Sequence, residues 1–199
     1  GNSSINRLYI VSDTIGTART ITNSGATMTW SNVDFRDITL GTAFNASAIT
    51  GLSGDCGGNT NITFTTAVTN YWIGGTGNWS AVAEWASTSG GAASSGRVPL
   101  PQDDAVFDDN SGFAGAGKTI TQDMPRVGKS IDWSPYTGSN TPTWTTSTVA
   151  SIFGSLTLDG NMILTASTEA YTFEGRSTFT LTNAGKPWAK AITLNAPGG

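Results

Sequence analysis

The sequence of 199 residues contains no histidine and a single cysteine. Histidine is the commonest general acid–base and the commonest metal ligand, so its absence excludes Ser-His-Asp and Cys-His catalysis within this chain. One cysteine excludes an internal disulfide and a cysteine-ligated zinc site. Because Cys56 lies in the turn-like segment 54–58, we interpret it as a small, partly buried thiol, with an intermolecular or inter-module partner as the alternative.

Charged residues are scarce as well, at 12% of the chain, where globular proteins carry roughly a quarter. The net charge is −4, and the clustered basic residues of a nucleic-acid binder are missing. There is no basic amphipathic helix and no apolar run of about 18 residues, so neither a membrane-surface segment nor a membrane-spanning helix is predicted. No signal peptide opens the chain, and its polar start and strand-like end suggest a piece of a longer protein.

Threonine, serine, asparagine and 25 glycines replace the missing charge. Disorder is one reading of such a composition, but seven tryptophans, eight phenylalanines and four tyrosines can form a core, and disordered segments are poor in aromatic residues. Helical periodicity is almost absent. Short runs that alternate apolar and polar residues, rich in β-branched and aromatic side chains, predict an all-β protein. The predicted strands lie at 8–11, 20–22, 28–30, 33–38, 105–107, 119–121, 130–133, 155–158, 162–165, 171–173, 178–182 and 191–194.

Two all-β architectures accommodate these short strands. In a parallel β-solenoid, each turn buries its inward apolar residues only against neighbouring turns, which suits strands such as Ser-Leu-Thr-Leu at 155–158 with glycine, asparagine or aspartate at the corners. An antiparallel β-sandwich is the alternative, because Asp159-Gly160 is also a typical two-residue hairpin turn. We predict a parallel β-solenoid (β-helix-like) module.

Two stretches of the chain resemble each other at similar offsets. Residues 19–23, Arg-Thr-Ile-Thr-Asn, are similar to 118–122, Lys-Thr-Ile-Thr-Gln, and residues 28–31 share a Trp-Ser ending with 130–134. These offsets of about one hundred residues indicate two copies of one module. We therefore predict that residues 1–70 are the C-terminal part of a first β module and that residues 71–199 form a second, truncated β module.

The segment 70–109 is the most distinctive part of the sequence. It opens with Trp-Ile-Gly-Gly-Thr-Gly-Asn-Trp at 72–79, passes Trp85, and reaches Pro-Gln-Asp-Asp-Ala-Val-Phe at 101–107. This segment resembles the module starts of bacteriophage tail-fibre and virion-surface β-repeat proteins, and it is also similar to module starts in bacterial autotransporter passengers and adhesins. The resemblance covers about 40 residues strongly, and the families concerned are largely solenoidal or sandwich-like β structures.

The resemblance implies a structural module of a virion surface or tail fibre with host-receptor (glycan) binding, and not an enzyme. It implies an extracellular or virion-surface location and contacts with neighbouring modules or virion proteins. Homo-oligomers, trimers among them, are implied by analogy with such fibres. A passenger or adhesin fragment of a bacterial surface protein is the first alternative. A glycan-degrading fibre domain is the second, since carboxylate pairs hydrolyse glycosides.

Aromatic residues are the candidates for ligand binding, because their rings stack on sugars and stay rigid at interfaces. Burial in the core or in a subunit interface is the alternative for most of them. Trp144, flanked by threonines, is expected to be the most exposed. The selected candidates are Trp79, Trp85, Tyr136 and Trp144, and Trp72 and Trp188 are considered with them.

The acidic residues are densest at Asp103, Asp104, Asp108 and Asp109. Carboxylate oxygens suit Ca²⁺, so a structural calcium ion is the one cofactor considered, although the spacing is not that of an EF-hand. A solvated strand end is the alternative interpretation, and a catalytic carboxylate pair is a third. Alternation along 104–108 predicts that Ala105 lies on the opposite side of the strand from Asp104 and Asp108. The glycines at 74, 75 and 77 do not predict a phosphate site, because no Lys-Ser/Thr follows them.

Overall fold

The computed structural model describes residues 3–24, 28–188 and 190–197, and this part of the chain is almost entirely β-structure with short strands. Single 3-10 turns at Ala46–Ala48 and Val82–Glu84 are its helical elements. The strands, numbered in chain order, are β1 Leu8–Val11, β2 Arg19–Ile21, β3 Val33–Arg36, β4 Ile38–Asn45, β5 Ser53–Asp55, β6 Thr60–Thr63, β7 Thr69–Trp72, β8 Gly77–Asn78, β9 Trp85–Ala86, β10 Asp104–Val106, β11 Thr119–Gln122, β12 Ile131–Asp132, β13 Thr143–Thr146, β14 Ala150–Ile152, β15 Leu156–Thr157, β16 Ile163–Leu164, β17 Tyr171–Phe173, β18 Leu181–Thr182 and β19 Ile192–Leu194.

The chain winds as a parallel β-solenoid of about eight turns, which confirms the predicted fold. Each strand pairs in parallel with the corresponding strand one turn later, as β10 does with β12 and β12 with β15. Within the described residues, the ladder between β7 and β9 is the exception, since it is antiparallel. The alternative of an antiparallel β-sandwich is therefore wrong. Asp159-Gly160 lies in a corner between β15 and β16, which belong to different sheets.

Two groups of sheets divide the solenoid into two lobes. The first lobe, residues 3–24 and 28–66, has the sheets β1-β3-β5 and β2-β4-β6. The second lobe, residues 67–188 and 190–197, has the sheets β9-β7-β10-β12-β15-β18, β8-β11-β13-β16 and β14-β17-β19. Each lobe has a hydrophobic core of its own. The division of the chain into modules 1–70 and 71–199 stays a prediction about the parent protein.

The core of the second lobe is built from columns of inward-facing side chains in register. One column is aliphatic, with Ala105, Ile131, Leu156 and Leu181 each paired with the next. A second column is aromatic: Phe107 stacks on Trp133 with ring centroids 4.0 Å apart and an interplanar angle of 5°. Stacking of this kind stabilises a core beyond the burial of apolar area alone.

The first lobe buries a smaller cluster formed by Val33, Phe35, Ile38 and Leu40. Strand β3 supplies its central residues, and all four residues of this strand are buried. Val33 and Phe35 point into the first-lobe core, so the strand's alternation places Asp34 and Arg36 on its other side. That side is covered by the second lobe.

Ion pairs fill the contact between the lobes. Asp34 is fully buried and accepts hydrogen bonds from Arg7 Nε at 2.6 Å and from Arg126 Nε of the second lobe at 2.7 Å. Arg36 pairs with Glu174 of the second lobe at 3.1 Å. The arginines of the contact, which also include Arg176 bound to Asp37, are four of the six in the chain.

Close backbone approach accompanies these ion pairs. A side chain at Gly54 in β5 would overlap Asp34 and would place its Cβ 2.7 Å from Cδ of Pro101 in the second lobe. Next to this glycine, Gln102 Nε2 donates to the backbone oxygens of Ser53 at 3.0 Å and Thr65 at 2.9 Å. The lobes are thus joined through hydrogen-bonded polar groups, as buried polar atoms require.

Candidate ligand-binding groove

The four aromatic residues selected from the sequence lie in the core of the second lobe. Trp79, Trp85 and Trp144 are 0% exposed and Tyr136 is 3% exposed, so none presents a ring face to a ligand. The expectation that Trp144 is the most exposed is wrong. Strand β13 alternates, and its inward positions are Trp144 and Thr146, while the threonines at 143 and 145 are only half-buried.

Tyr136 is anchored in the same core through both ends of its side chain. Its hydroxyl donates to the backbone oxygen of Asn140 at 2.8 Å, and its ring packs edge-on against Phe113 at 5.4 Å. Burial raises the pKa of this hydroxyl. Tyr136 is therefore a structural residue. Trp72 is fully buried too, and Trp188 is half-buried against the core.

The acidic residues at 103–109 do not converge on one point, and no group of three or more carboxylate or thiol side chains able to hold a metal ion occurs among the described residues. Asp103 is fully buried and forms a bidentate ion pair with Arg97, at 2.6 and 2.7 Å. Asp104 accepts the backbone N–H of Ser130 at 3.3 Å. These carboxylates are thus engaged separately, and the calcium interpretation stays a prediction that their described geometry does not favour.

Asp108 and Asp109 accept hydrogen bonds in two separate turns. Asp108 Oδ1 accepts the backbone N–H of Asn110 at 2.8 Å. Asp109 accepts the N–H and the hydroxyl of Thr137 at 2.7 and 2.5 Å, and these hydrogen bonds lower the pKa of its carboxyl. The predicted alternation is confirmed within β10, since Ala105 is buried while Asp104 is half-buried. Asp108, two residues beyond the strand, is buried as well.

Cys56 lies inside the contact between the lobes and is 1% exposed. Burial raises the pKa of its thiol, and the nearby Asp34 raises it further. The thiol form is therefore favoured and the reactive thiolate disfavoured. This agrees with the interpretation of a small buried thiol, which is buried more deeply than the sequence indicated.

A buried lysine of the second lobe, Lys190, lies in a cluster with two hydroxyl groups. Lys190 Nζ donates to the hydroxyls of Thr146 and Ser167, the latter at 2.7 Å, and lies 5.6 Å from the ring centre of Tyr171. Burial lowers the pKa of this amine, and Glu169 opposes the shift. The amine donates to both hydroxyls, so the hydroxyls supply hydrogen-bond acceptors to a buried cation. Neither hydroxyl is activated as a nucleophile by this arrangement.

An open groove of about 600 Å³ crosses the surface of the first lobe. One wall is the segment 28–31, which joins β2 to β3. The other is the segment 44–50, which contains the last two residues of β4 and the 3-10 turn after it. Strand 28–30 of the sequence prediction is thus wrong, because this segment is a corner without ladder pairing. We call this feature the Trp30 groove. Its lining residues are Met28, Thr29, Trp30, Ser31, Phe44, Asn45, Ala48, Ile49 and Thr50.

Trp30 is the largest side chain of the groove and is only half-buried. Its ring rests on an aromatic base: Phe35 lies 5.2 Å away and Phe44 lies 5.5 Å away edge-on, at an interplanar angle of 80°. Edge-to-face and tilted aromatic packing fixes the orientation of a ring. The remainder of the indole surface lines the groove.

Local hydrogen bonds hold the two walls in place. Asn45 Oδ1 accepts the backbone N–H of Ser47 at 3.1 Å and so caps the 3-10 turn of the second wall. The two walls are joined where Asn32 N donates to Thr50 O at 3.2 Å. Gly51 follows with φ +75, and a Cβ there would overlap the Asn32 side chain, so this corner requires glycine.

The other described cavities fit a ligand less well. A groove of about 480 Å³ lies along Val68–Tyr71 beside Arg97, but that arginine is already paired with Asp103. Two smaller cavities of about 270 and 320 Å³ lie between the lobes. The Trp30 groove is therefore the candidate site. The sequence did not reveal this groove because the alternation at 28–30 placed Trp30 in a predicted strand.

Comparison with known proteins yields no match to any family model, curated protein or solved structure. None of the described helical turns is long and apolar enough to cross a membrane. The fold and the geometry of the groove therefore carry the functional argument.

Proposed function

We propose that this chain is a structural module of a virion surface or phage tail fibre, built to stack end to end with further β-solenoid turns and to meet a host receptor along its flank. The observation that carries this proposal is the difference between the two ends of the second lobe.

The end of the second lobe at β7 is covered. Strand β9 adds to β7 in the antiparallel direction, and its residues Trp85 and Ala86 are fully buried. The loop 87–96 closes over them, with Gly96 N donating to Trp85 O at 3.3 Å. Such a cap prevents another strand from pairing at this end.

The opposite end of the second lobe is open. Strands β16, β18 and β19 are terminal in their sheets within the described residues. Leu194 in β19 pairs with the fully buried Phe173, so it continues an inward position, and it is nevertheless 66% exposed. Solenoid proteins normally need a polar capping turn for solubility, so an apolar open end favours a further turn as its occupant.

The pairing register between the existing turns indicates which residue a further turn would contribute to the core. In the aliphatic column, Ile131, Leu156 and Leu181 follow one another at 25 residues, and the next position of the column lies beyond β18. A parallel turn with an apolar residue at that position continues the same contact that joins the existing turns. Parallel stacking in this form is what a fibre or a tandem array requires.

Light scattering over a wide range of protein concentration tests the proposal. Leu194→Lys places a charge on the open end, and Val82→Lys is the matched control, because Val82 is 48% exposed on the 3-10 turn beside the covered end. We expect self-association that Leu194→Lys weakens and Val82→Lys leaves unchanged. A monomer at every concentration, or equal behaviour of the two variants, would contradict stacking through this end.

We do not propose a glycan-degrading activity for this chain. Asp104 begins β10, Asp108 lies two residues beyond its end, and each accepts a different backbone N–H, whereas hydrolysis needs two carboxylates facing one bond. We expect no turnover of the saccharides used below. Released reducing ends in a reducing-sugar assay would show that this expectation is wrong.

A further inference from the structure

The Trp30 groove combines an aromatic platform with neutral hydrogen-bonding groups. None of its nine lining residues is ionisable. Hydroxyl groups come from Thr29 and Thr50, and the side-chain amide comes from Asn45, all three of which are exposed. The apolar part comes from the half-buried rings of Trp30 and Phe44.

We propose that the Trp30 groove binds a neutral saccharide, with one sugar ring stacked on the indole of Trp30 and its hydroxyls bonded by the polar residues of the two walls. The inference rests on the proposed function for its biological meaning, a glycan receptor on a host surface. The binding itself is a property of the groove and can be tested alone.

The charge of the groove selects the class of ligand. A phosphate, sulfate or carboxylate is bound through arginine, lysine or clustered backbone N–H groups, and the described residues of the lining include no basic side chain. A cationic ligand would need a carboxylate or an aromatic cage, and Trp30 and Phe44 meet edge-on rather than as facing walls. An uncharged ligand with one apolar face and many hydroxyls fits what is present.

The shape of the groove agrees with this class. A volume of about 600 Å³ lies within the ordinary range of small-molecule sites. The groove is open and lies between its two walls, so a linear oligosaccharide can extend beyond it in either direction. Because Phe35 and Phe44 hold the indole in place, little side-chain entropy is lost on binding.

Saturation-transfer NMR and isothermal calorimetry on the whole chain test the inference. The probes are maltotetraose, cellotetraose and chitotetraose, with tetragalacturonic acid as the charged comparator. Ala48→Arg blocks the groove from an exposed position, outside the aromatic packing, so this variant is expected to fold. Trp30→Ala removes the platform, and Trp188→Ala is the matched control at the half-buried tryptophan of the other lobe.

We expect at least one neutral tetrasaccharide to bind, with affinity lowered about tenfold or more by Ala48→Arg and Trp30→Ala and unchanged by Trp188→Ala. The inference is overturned if no neutral probe binds, if Ala48→Arg binds as well as the unmodified chain, or if only tetragalacturonic acid binds. Such a failure, with Leu194→Lys still weakening self-association, would remove the saccharide site and leave the stacking proposal standing.

Discussion

Replacing Asp34 with asparagine should be the most damaging single change at the contact between the lobes. Asp34 is fully buried and is the common acceptor of Arg7 and Arg126. Arg7 cannot turn away, because its terminal nitrogens also donate to the backbone oxygens of Val33 at 3.1 Å and Leu52 at 3.0 Å. Asparagine keeps the shape of the side chain but leaves the buried Arg7 and the half-buried Arg126 without a counter-charge.

Removing one partner of a buried ion pair costs about 3–5 kcal/mol, a large part of the total stability of about 5–15 kcal/mol that domains have. We expect Asp34→Asn to lower the free energy of unfolding by this amount. Urea unfolding followed by tryptophan fluorescence is the suitable assay, since guanidinium salts would screen the ion pairs. Asp13→Asn is the matched control: the Asp13–Arg19 pair is exposed, so it should leave the unfolding midpoint unchanged.

A compensated variant separates charge from packing. In Arg7→Met/Asp34→Leu/Arg126→Met the whole ionic group becomes apolar, and such replacements are often neutral or stabilising. We therefore expect the triple variant to recover part of the stability lost in Asp34→Asn, because the backbone oxygens of Val33 and Leu52 lose their Arg7 donor in it. The reasoning is refuted if Asp34→Asn unfolds within about 1 kcal/mol of the unmodified chain, because the lobes would then not depend on this acceptor.

Two further substitutions test the loss of folding stability at high pH and the close approach of the lobes. Burial raises the pKa of the Tyr171 hydroxyl above its ordinary value of 10.0, so above about pH 10 the unfolded chain loses a proton that the folded chain keeps, and stability falls as pH rises. Tyr171→Phe should remove up to about 1.4 kcal/mol per pH unit of that decline in urea unfolding; an unchanged slope would contradict the assignment. Gly54→Ala should cost about 1–3 kcal/mol through overlap with Asp34 and Pro101, while Gly41→Ala, whose nearest neighbour is 3.5 Å away, should not; equal melting temperatures would show that the lobes can move apart freely.

Alternation along the sequence predicted many strands because the inward–outward period of a strand is a local property. The predicted strands 8–11 and 171–173 coincide with β1 Leu8–Val11 and β17 Tyr171–Phe173. The same rule explains the error at Trp144. Its threonine neighbours indicated exposure, but neighbours in a strand point to the opposite side, so polar flanks are compatible with a buried centre.

The contact between the lobes was not predicted, because the covering of a strand by residues far along the chain leaves no pattern in the local sequence. The pattern Val-Asp-Phe-Arg of β3 is typical of a strand with one side in solvent. In the fold, the polar side of β3 meets Arg126 and Glu174, which lie about 90 and 140 residues further along the chain.

The position of the candidate groove follows from the scarcity of charge. Four of the six arginines lie at the contact between the lobes, which leaves the Trp30 groove lined by threonine, asparagine and aromatic residues. Alternation turns Trp144 inward on its strand, whereas Trp30, on the segment between β2 and β3, keeps part of its ring at the surface. A position outside a strand is not enough for exposure, because Trp79 and Trp133 directly follow β8 and β12 and are fully buried. Polar neighbours are not enough either, as Trp144 shows, so the exposure of a tryptophan in this fold depends on how neighbouring turns cover it.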